Sequence, residues 1–251
     1  MTSMFELTHR GRVAVLRMTH GRANAMDLEF CRGLSAQIQA CQQSSAGALV
    51  LTGEGRMFSA GVDLTRLVAG GAPYVREFLP AMNHAFEALF TFQKPLVAAV
   101  NGHAIAGGCV MTCCADYRIM AREAGRIGIP ELLVGVPFPV VPLEIVRFAA
   151  PQHLQALIYR GLTLSAEEGQ RLGLIDGVTE SEHLIDEAVQ VAESLAAVPF
   201  EAFHLTKRQL REPALRRMHD GGVIDSIVQD AWAGDTVLGA VRDYVARTLK
   251  K

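Results

Sequence analysis

The chain has no basic stripe. Its 24 Lys and Arg are scattered among 26 Asp and Glu, for a net charge of −2. The electrostatic footprint of a nucleic-acid binder is therefore missing, and nucleic acid is not an expected partner. Long apolar runs are missing too. The opening MTSMFELTHRGRVAVLRM shows neither an apolar core behind basic residues nor a small-residue cleavage pattern, so no secretion signal or membrane span is expected and the cytoplasm is the expected location. Cysteine is sparse: Cys31, Cys41, Cys109, Cys113 and Cys114 are an odd number on apolar stretches, which suits reduced, buried thiols and not a disulfide framework. Cys109, Cys113 and Cys114 lack a paired CxxC spacing and a nearby histidine, so no metal is expected. The nucleophile elbow, the phosphate-binding loop, the dinucleotide fingerprint and the zinc-protease helix are all absent.

Half the 251 residues are hydrophobic and a fifth are charged, the composition of an ordinary soluble globular protein. A chain of this size buries roughly 70–75% of its unfolded surface and needs no staples. The most informative stretch is Lys94–Asp116, KPLVAAVNGHAIAGGCVMTCCAD. Its apolar run up to Val100 reads as a strand covered on both faces. Asn101 and Gly102 then turn the chain, and Gly107 and Gly108 strip side chains from the start of a helix over Cys109 to about Cys114. Bare backbone at a helix start presents unpaired N–H groups and a positive dipole end, which can hold an oxygen as it gains negative charge. A second strand, Ala48–Thr52, leads to FSAGVDL, where Gly61 permits another sharp turn before a short helix. Two donors from two such turns can meet on one oxygen, the geometry a thioester enolate needs.

Elsewhere, Phe5–Thr8 and Val13–Met18 read as a hairpin around Arg10-Gly11-Arg12. Asp27 caps a helix that carries Phe30, Leu34, Ile38 and Cys41 on one face. Gly and Pro in Val68–Pro73 mark a mobile segment before a helix over Tyr74–Phe90, and this segment and Val110 are the expected walls of a pocket beside the glycine turns. Short strands are expected at Asp116–Ala121 and Arg126–Ile129, with Pro130 ending the ladder just before Glu131. Pro137–Pro142 opens a helix, Ser165 and Glu168 form a capping box, and the chain is helical from Ser181 on. The sum is an α/β core followed by a C-terminal helical region.

MFSAGVDL, KPLVAAVNGHAIAGGC, ADYRI and IGIPELLVG, in that order over residues 5 to 250, resemble the crotonase family of enoyl-CoA hydratases and isomerases. The resemblance implies a spiral of ββα units over residues 1–195 that binds acyl-CoA, and a helical region over 196–251 that packs in a homotrimer or a dimer of trimers. Coenzyme A enters as the thioester part of the substrate, with no permanently bound cofactor. By motif position the backbone N–H groups of Val62 and Gly107 form the oxyanion hole. Ala60, Gly61, Val62, Asp63 and Leu64 run along the pantetheine and adenine, Gly107 and Pro130 are further substrate contacts, and Arg22 and Ala23 lie at the adenosine end. A solvated turn is an equal reading for Arg22 and Ala23.

Hydratases of this family use two glutamates. Here the first position, directly after Gly-Gly-Cys, is Val110, and only the second survives, as Glu131. Two carboxylates share a water in hydration, whereas one suffices to take a proton from C2 of a 3-enoyl thioester and return it at C4. The pattern resembles the Δ3,Δ2-enoyl-CoA isomerases, in which the residue before the glutamate is often asparagine; here it is Pro130. Isomerisation with Glu131 as the base is therefore the expected activity. Hydration is the alternative, and a catalytically weak coenzyme A-binding scaffold is the alternative of another class. His103 is weighed as a base and set aside. Asp116 and Glu144 are weighed as second acids and assigned to a strand start and a helix surface.

Overall fold

The computed structural model describes residues 3–123 and 125–248. Two sheets divide the strands. The larger has six, in the order β1 (Phe5–Arg10), β2 (Val13–Met18), β3 (Ala48–Thr52), β5 (Leu96–Val100), β7 (Tyr117–Ala121) and β10 (Gly177–Thr179). The smaller holds β4 (Met57–Ser59), β6 (His103–Ile105), β8 (Ile127–Gly128) and β9 (Thr163–Leu164). Apart from the β1–β2 hairpin and the β8–β9 pair, neighbours run parallel. β3 and β5 are buried along their whole length, as strands covered on both faces must be.

The chain winds as a spiral, sending one strand to each sheet and then a helix. β3, β4 and α2 (Leu64–Phe90) make one turn, β5, β6 and α3 (Gly107–Cys113) the next, and β7, β8 and α4 (Glu131–Val134) the third. Each loop at the end of a short strand thereby falls beside the equivalent loop of the next turn, which is what brings distant glycines together. The other face of the large sheet is covered by α8 (Leu184–Ala196), whose Leu184, Ala188 and Ala192 pack on Val50, Val97 and Ile119.

Several elements differ from the sequence reading. Val68–Pro73 is not a loop: it lies inside α2, and Gly71 breaks that helix with φ 58°, ψ −154°. Pro73 then sits in the first turn of the second leg, where a missing N–H costs nothing. β4 and β6 fall where the sequence reads as loop and turn. At three residues each they are too short to show a period. The ladder ends before Pro130 as expected, but Glu131 then opens a short helix, α4, that the sequence reading did not include.

After α5 (Val140–Ala149), α6 (Leu154–Tyr159) and α7 (Ala166–Arg171), whose capping box is present, the chain ends in α9 (Phe200–Asp220), α10 (Gly222–Ala233) and α11 (Asp235–Thr248). These last helices bury Ala214, Met218, Trp232, Leu238, Val241 and Val245 in the main core. α10 and α11 both pack on α2. The anchor of α9 is a buried ion cluster: Asp116 accepts from Lys207 Nζ at 2.6 Å, from Arg211 Nη2 at 2.6 Å and from the Leu96 N–H at 2.8 Å. Glu144, expected on a helix surface, is likewise buried and paired, with Arg147 at 3.0 Å and Arg217 at 2.5 Å. The correction has a plain cause, since Arg217 comes from α9 and no local pattern on α5 announces it.

Candidate active site

The site begins with a ladder between two loops. Met26 N–H donates to Gly61 O at 2.8 Å, Asp63 N–H to Met26 O at 3.0 Å and Ala60 N–H to Ala23 O at 2.9 Å. Asn24, buried with φ 44°, ties the same loop to β4 through Nδ2 to Phe58 O at 3.1 Å. The N–H groups on either side of Val62 are both spent, that of Gly61 on Ser59 Oγ at 3.1 Å and that of Asp63 in the ladder. The Val62 N–H itself makes no hydrogen bond among the described residues.

α3 supplies the second donor. Its first residue is Gly107, whose N–H has no intrahelical partner by position. Ala106, just before it, is held at φ 54°, ψ −122°, a conformation that costs a non-glycine residue about 1–3 kcal/mol. The two glycines are required by packing. A methyl on Gly107 would lie 2.6 Å from Met26 Sδ, and one on Gly108 2.3 Å from Ser59 O. Gly61, at φ +80°, packs directly on this turn: a methyl there would sit 2.9 Å from the Gly107 nitrogen. The two glycine turns, well separated along the chain, are therefore in contact.

Beside them opens a cavity of about 360 Å³ whose wall is almost wholly apolar. Of the residues singled out in the sequence, Ala23, Ala60, Val62, Asp63, Leu64, Gly107, Pro130 and Glu131 line it. Gly61 lies buried behind the wall, and Arg22 is exposed outside it. Val110 lines the cavity as expected, but Val68–Pro73 does not; Met82 and Phe86 of the second leg of α2 stand there instead. Trp232 from α10 and Tyr244 from α11 also line it. Sequence reading missed both, because their contacts join the turns to helices at the far end of the chain, and no local signal marks them.

Charge in this cavity is confined to two carboxylates. That of Asp63 accepts from the Arg66 N–H at 3.0 Å and so caps α2. Glu131 is different. The residue is half-buried as a whole, yet its Oε2 is shielded from solvent and has no hydrogen-bond partner among the described residues. Burial pushes its pKa up to about 8, because no cation stands near to offset the lost hydration. A carboxyl poised near neutral pH in an apolar cavity can both take and return a proton.

The remaining candidates lie elsewhere. His103 Nδ1 accepts from the Arg126 N–H at 3.2 Å within the small sheet, and neither it, Asp116 nor Glu144 lines the cavity. All five cysteines are free and buried. Among the described residues no group of three or more His, Cys, Asp or Glu is arranged to hold a metal, and no helix is long and apolar enough to cross a membrane.

Comparison with known proteins identifies the family and the fold. The family model described as Enoyl-CoA hydratase/isomerase matches residues 8–231. A putative enoyl-CoA hydratase of Thermus thermophilus is 31% identical over 90% of this chain and 91% of its own length. Among solved structures, the Mtb enoyl-CoA isomerase superposes with a TM-score of 0.82 at 29% identity, over 94% of this chain and all of its own. Human mitochondrial Δ3-Δ2-enoyl-CoA isomerase, at 24% identity, shares the fold with a TM-score of 0.93 over 99% of both chains.

Proposed function

Because this chain belongs to the enoyl-CoA hydratase/isomerase family and has the crotonase fold, we propose that it shifts the double bond of a 3-enoyl-CoA to the 2-trans position, with Glu131 as the single proton shuttle. The thioester oxygen sits between the N–H groups of Val62 and Gly107. The Glu131 carboxylate removes a proton from C2, and the electron pair moves onto that oxygen, giving a dienolate. The protonated Glu131 then delivers the same proton to C4, and the electrons return to form the C2–C3 double bond. No proton is gained or lost overall.

The observation that carries this reading is one unpartnered carboxylate in an apolar cavity, with Val110 lining the wall where a second acid would stand. Its raised pKa supports the shuttle, since a stronger acid would hold the proton too weakly between the two transfers. Removing one oxyanion donor typically costs about 10²–10³ in rate. The decisive experiment gives the protein trans-3-hexenoyl-CoA and, separately, trans-2-hexenoyl-CoA, beside a Glu131→Gln variant. Conversion of the 3-enoyl thioester that vanishes in the variant, with little hydration of the 2-enoyl one, is the expected result.

Hydration is the second reading. Relatives named as hydratases favour it, as does Tyr244, which lines the cavity with no hydrogen bond to its hydroxyl among the described residues. Brisk hydration of trans-2-hexenoyl-CoA selects it. Tight coenzyme A binding without turnover of either thioester selects the scaffold. For the assembly, the proposal is a homotrimer or a dimer of trimers in which residues 196–251 pack between subunits, to be checked by sedimentation.

A further inference from the structure

Trp232 is the only tryptophan of the chain. It is 2% exposed although it lines the substrate cavity. That burial places it, like Phe86 and Val110, in the closed wall of the cavity and not at its mouth. Two hydrogen bonds make the closure firm. The indole Nε1 donates to the Pro137 carbonyl at 2.8 Å, and Asp225 Oδ1, two turns earlier on α10, accepts from the Val140 N–H at 3.0 Å. Gly221 brings the start of the same helix against the same segment, since a methyl there would meet Val140 Cγ1 at 2.6 Å. α10 thus clamps Pro137–Val140 from both ends, and Phe138 and Pro139, which line the cavity, are held in the wall.

Phe86 is adjacent to the oxyanion turn, its ring 3.5 Å from a methyl placed on Gly107. Met82 lies one turn away along α2, the helix on which α10 packs. An acyl chain leaving the thioester at Gly107 therefore passes Phe86 and Met82 toward the α10 wall. Apart from Glu131, which handles the proton, and Asp63, which caps α2, it meets no charged side chain.

We propose that Trp232 determines acyl specificity: its indole ends the cavity, so that the site takes neutral acyl chains up to the length at which the terminal methyl reaches the ring. The inference rests on the acyl-CoA reading above and adds to it the class of acyl group and the residue that limits it.

Saturated thioesters, which bind without reacting, supply the test. Titration calorimetry with acetyl-, butyryl-, hexanoyl-, octanoyl-, decanoyl- and dodecanoyl-CoA is expected to show affinity rising about fourfold per buried methylene and then ceasing to rise. The fluorescence of Trp232 is expected to change most at the length where the rise ends. In Trp232→Ala the rise continues for roughly two to four further carbons, because the indole leaves a cavity behind. Trp232→Phe, which keeps an apolar ring and serves if the alanine variant fails to fold, shows a smaller extension. A break at the same length in wild type and in the folded variants overturns the proposal, as does a rise with no break through dodecanoyl-CoA. An ω-carboxylated chain that binds as well as octanoyl overturns the neutral-chain part. A break that moves in the variants while no enoyl thioester is turned over leaves Trp232 as the limit and sinks the isomerase reading alone. Absence of binding by every thioester sinks both.

Discussion

Two buried carboxylate sites in this molecule follow opposite rules. Asp116, between the large sheet and α9, is met by Lys207, Arg211 and a backbone N–H. Its cations are fixed in turn: Lys207 Nζ also donates to Lys94 O at 3.0 Å, and the Arg211 guanidinium lies 4.4 Å from the Phe90 ring centroid. Glu131, in the cavity, has only apolar walls around Oε2. Burial alone therefore does not mark a base. What distinguishes the acid proposed to react from the structural one is the missing counter-charge, which leaves its proton affinity high and its oxygen unpartnered.

The largest test of this contrast is Glu131→Gln, which is expected to lower turnover of a 3-enoyl-CoA by about 10²–10⁴, the usual scale for losing a general base. In the wild type kcat/KM is expected to rise with pH through about 8, as the free carboxyl ionises; a flat profile would mean that Glu131 does not carry the proton. Asp116→Asn is expected to destabilise by about 3–5 kcal/mol, since it leaves two buried cations short of their partner, while activity per folded molecule changes little. Denaturant unfolding and active-site titration separate the two effects.

The same pair predicts opposite stability outcomes. The folded-state pKa of Glu131 lies above its unfolded value of 4.5, so the folded state holds the proton more tightly. Wild-type stability then falls as pH rises from about 4.5 to about 8. Glu131→Gln removes this loss, and its stability advantage in denaturant unfolding is expected to be absent at about pH 4 and to reach a few kcal/mol at about pH 9. Smallest of all is Arg147→Ala. Glu144 keeps Arg217, and the Arg147 side chain is 42% exposed, so less than about 1 kcal/mol is expected.

The meeting of the two glycine turns was legible because its geometry is written locally. Gly61 and the Gly107-Gly108 pair are where backbones meet closely, and only glycine tolerates those approaches. Glu131 was legible through its place after Pro130. The acyl half was not, because Met82, Phe86, Trp232 and Tyr244 are joined by helix packing and look like ordinary core positions in sequence. Val68–Pro73 misled for a related reason: Gly70, Gly71 and Pro73 do break α2, but the break is one residue wide and helix resumes on both sides. The partners of Asp116 and Glu144 lie on α9, far along the chain and beyond any local pattern.

The backbone of Ala106 carries a last consequence. Its φ of 54° is held by the hydrogen bond from its N–H to Gly128 O at 2.8 Å and by the helix that follows, so the direction of the Gly107 N–H is set once, during folding. In the mechanism proposed above, the reorganisation energy of that donor is thereby moved out of the turnover and into the folding equilibrium, where it shows as slightly lower stability in exchange for a donor oriented before the thioester arrives.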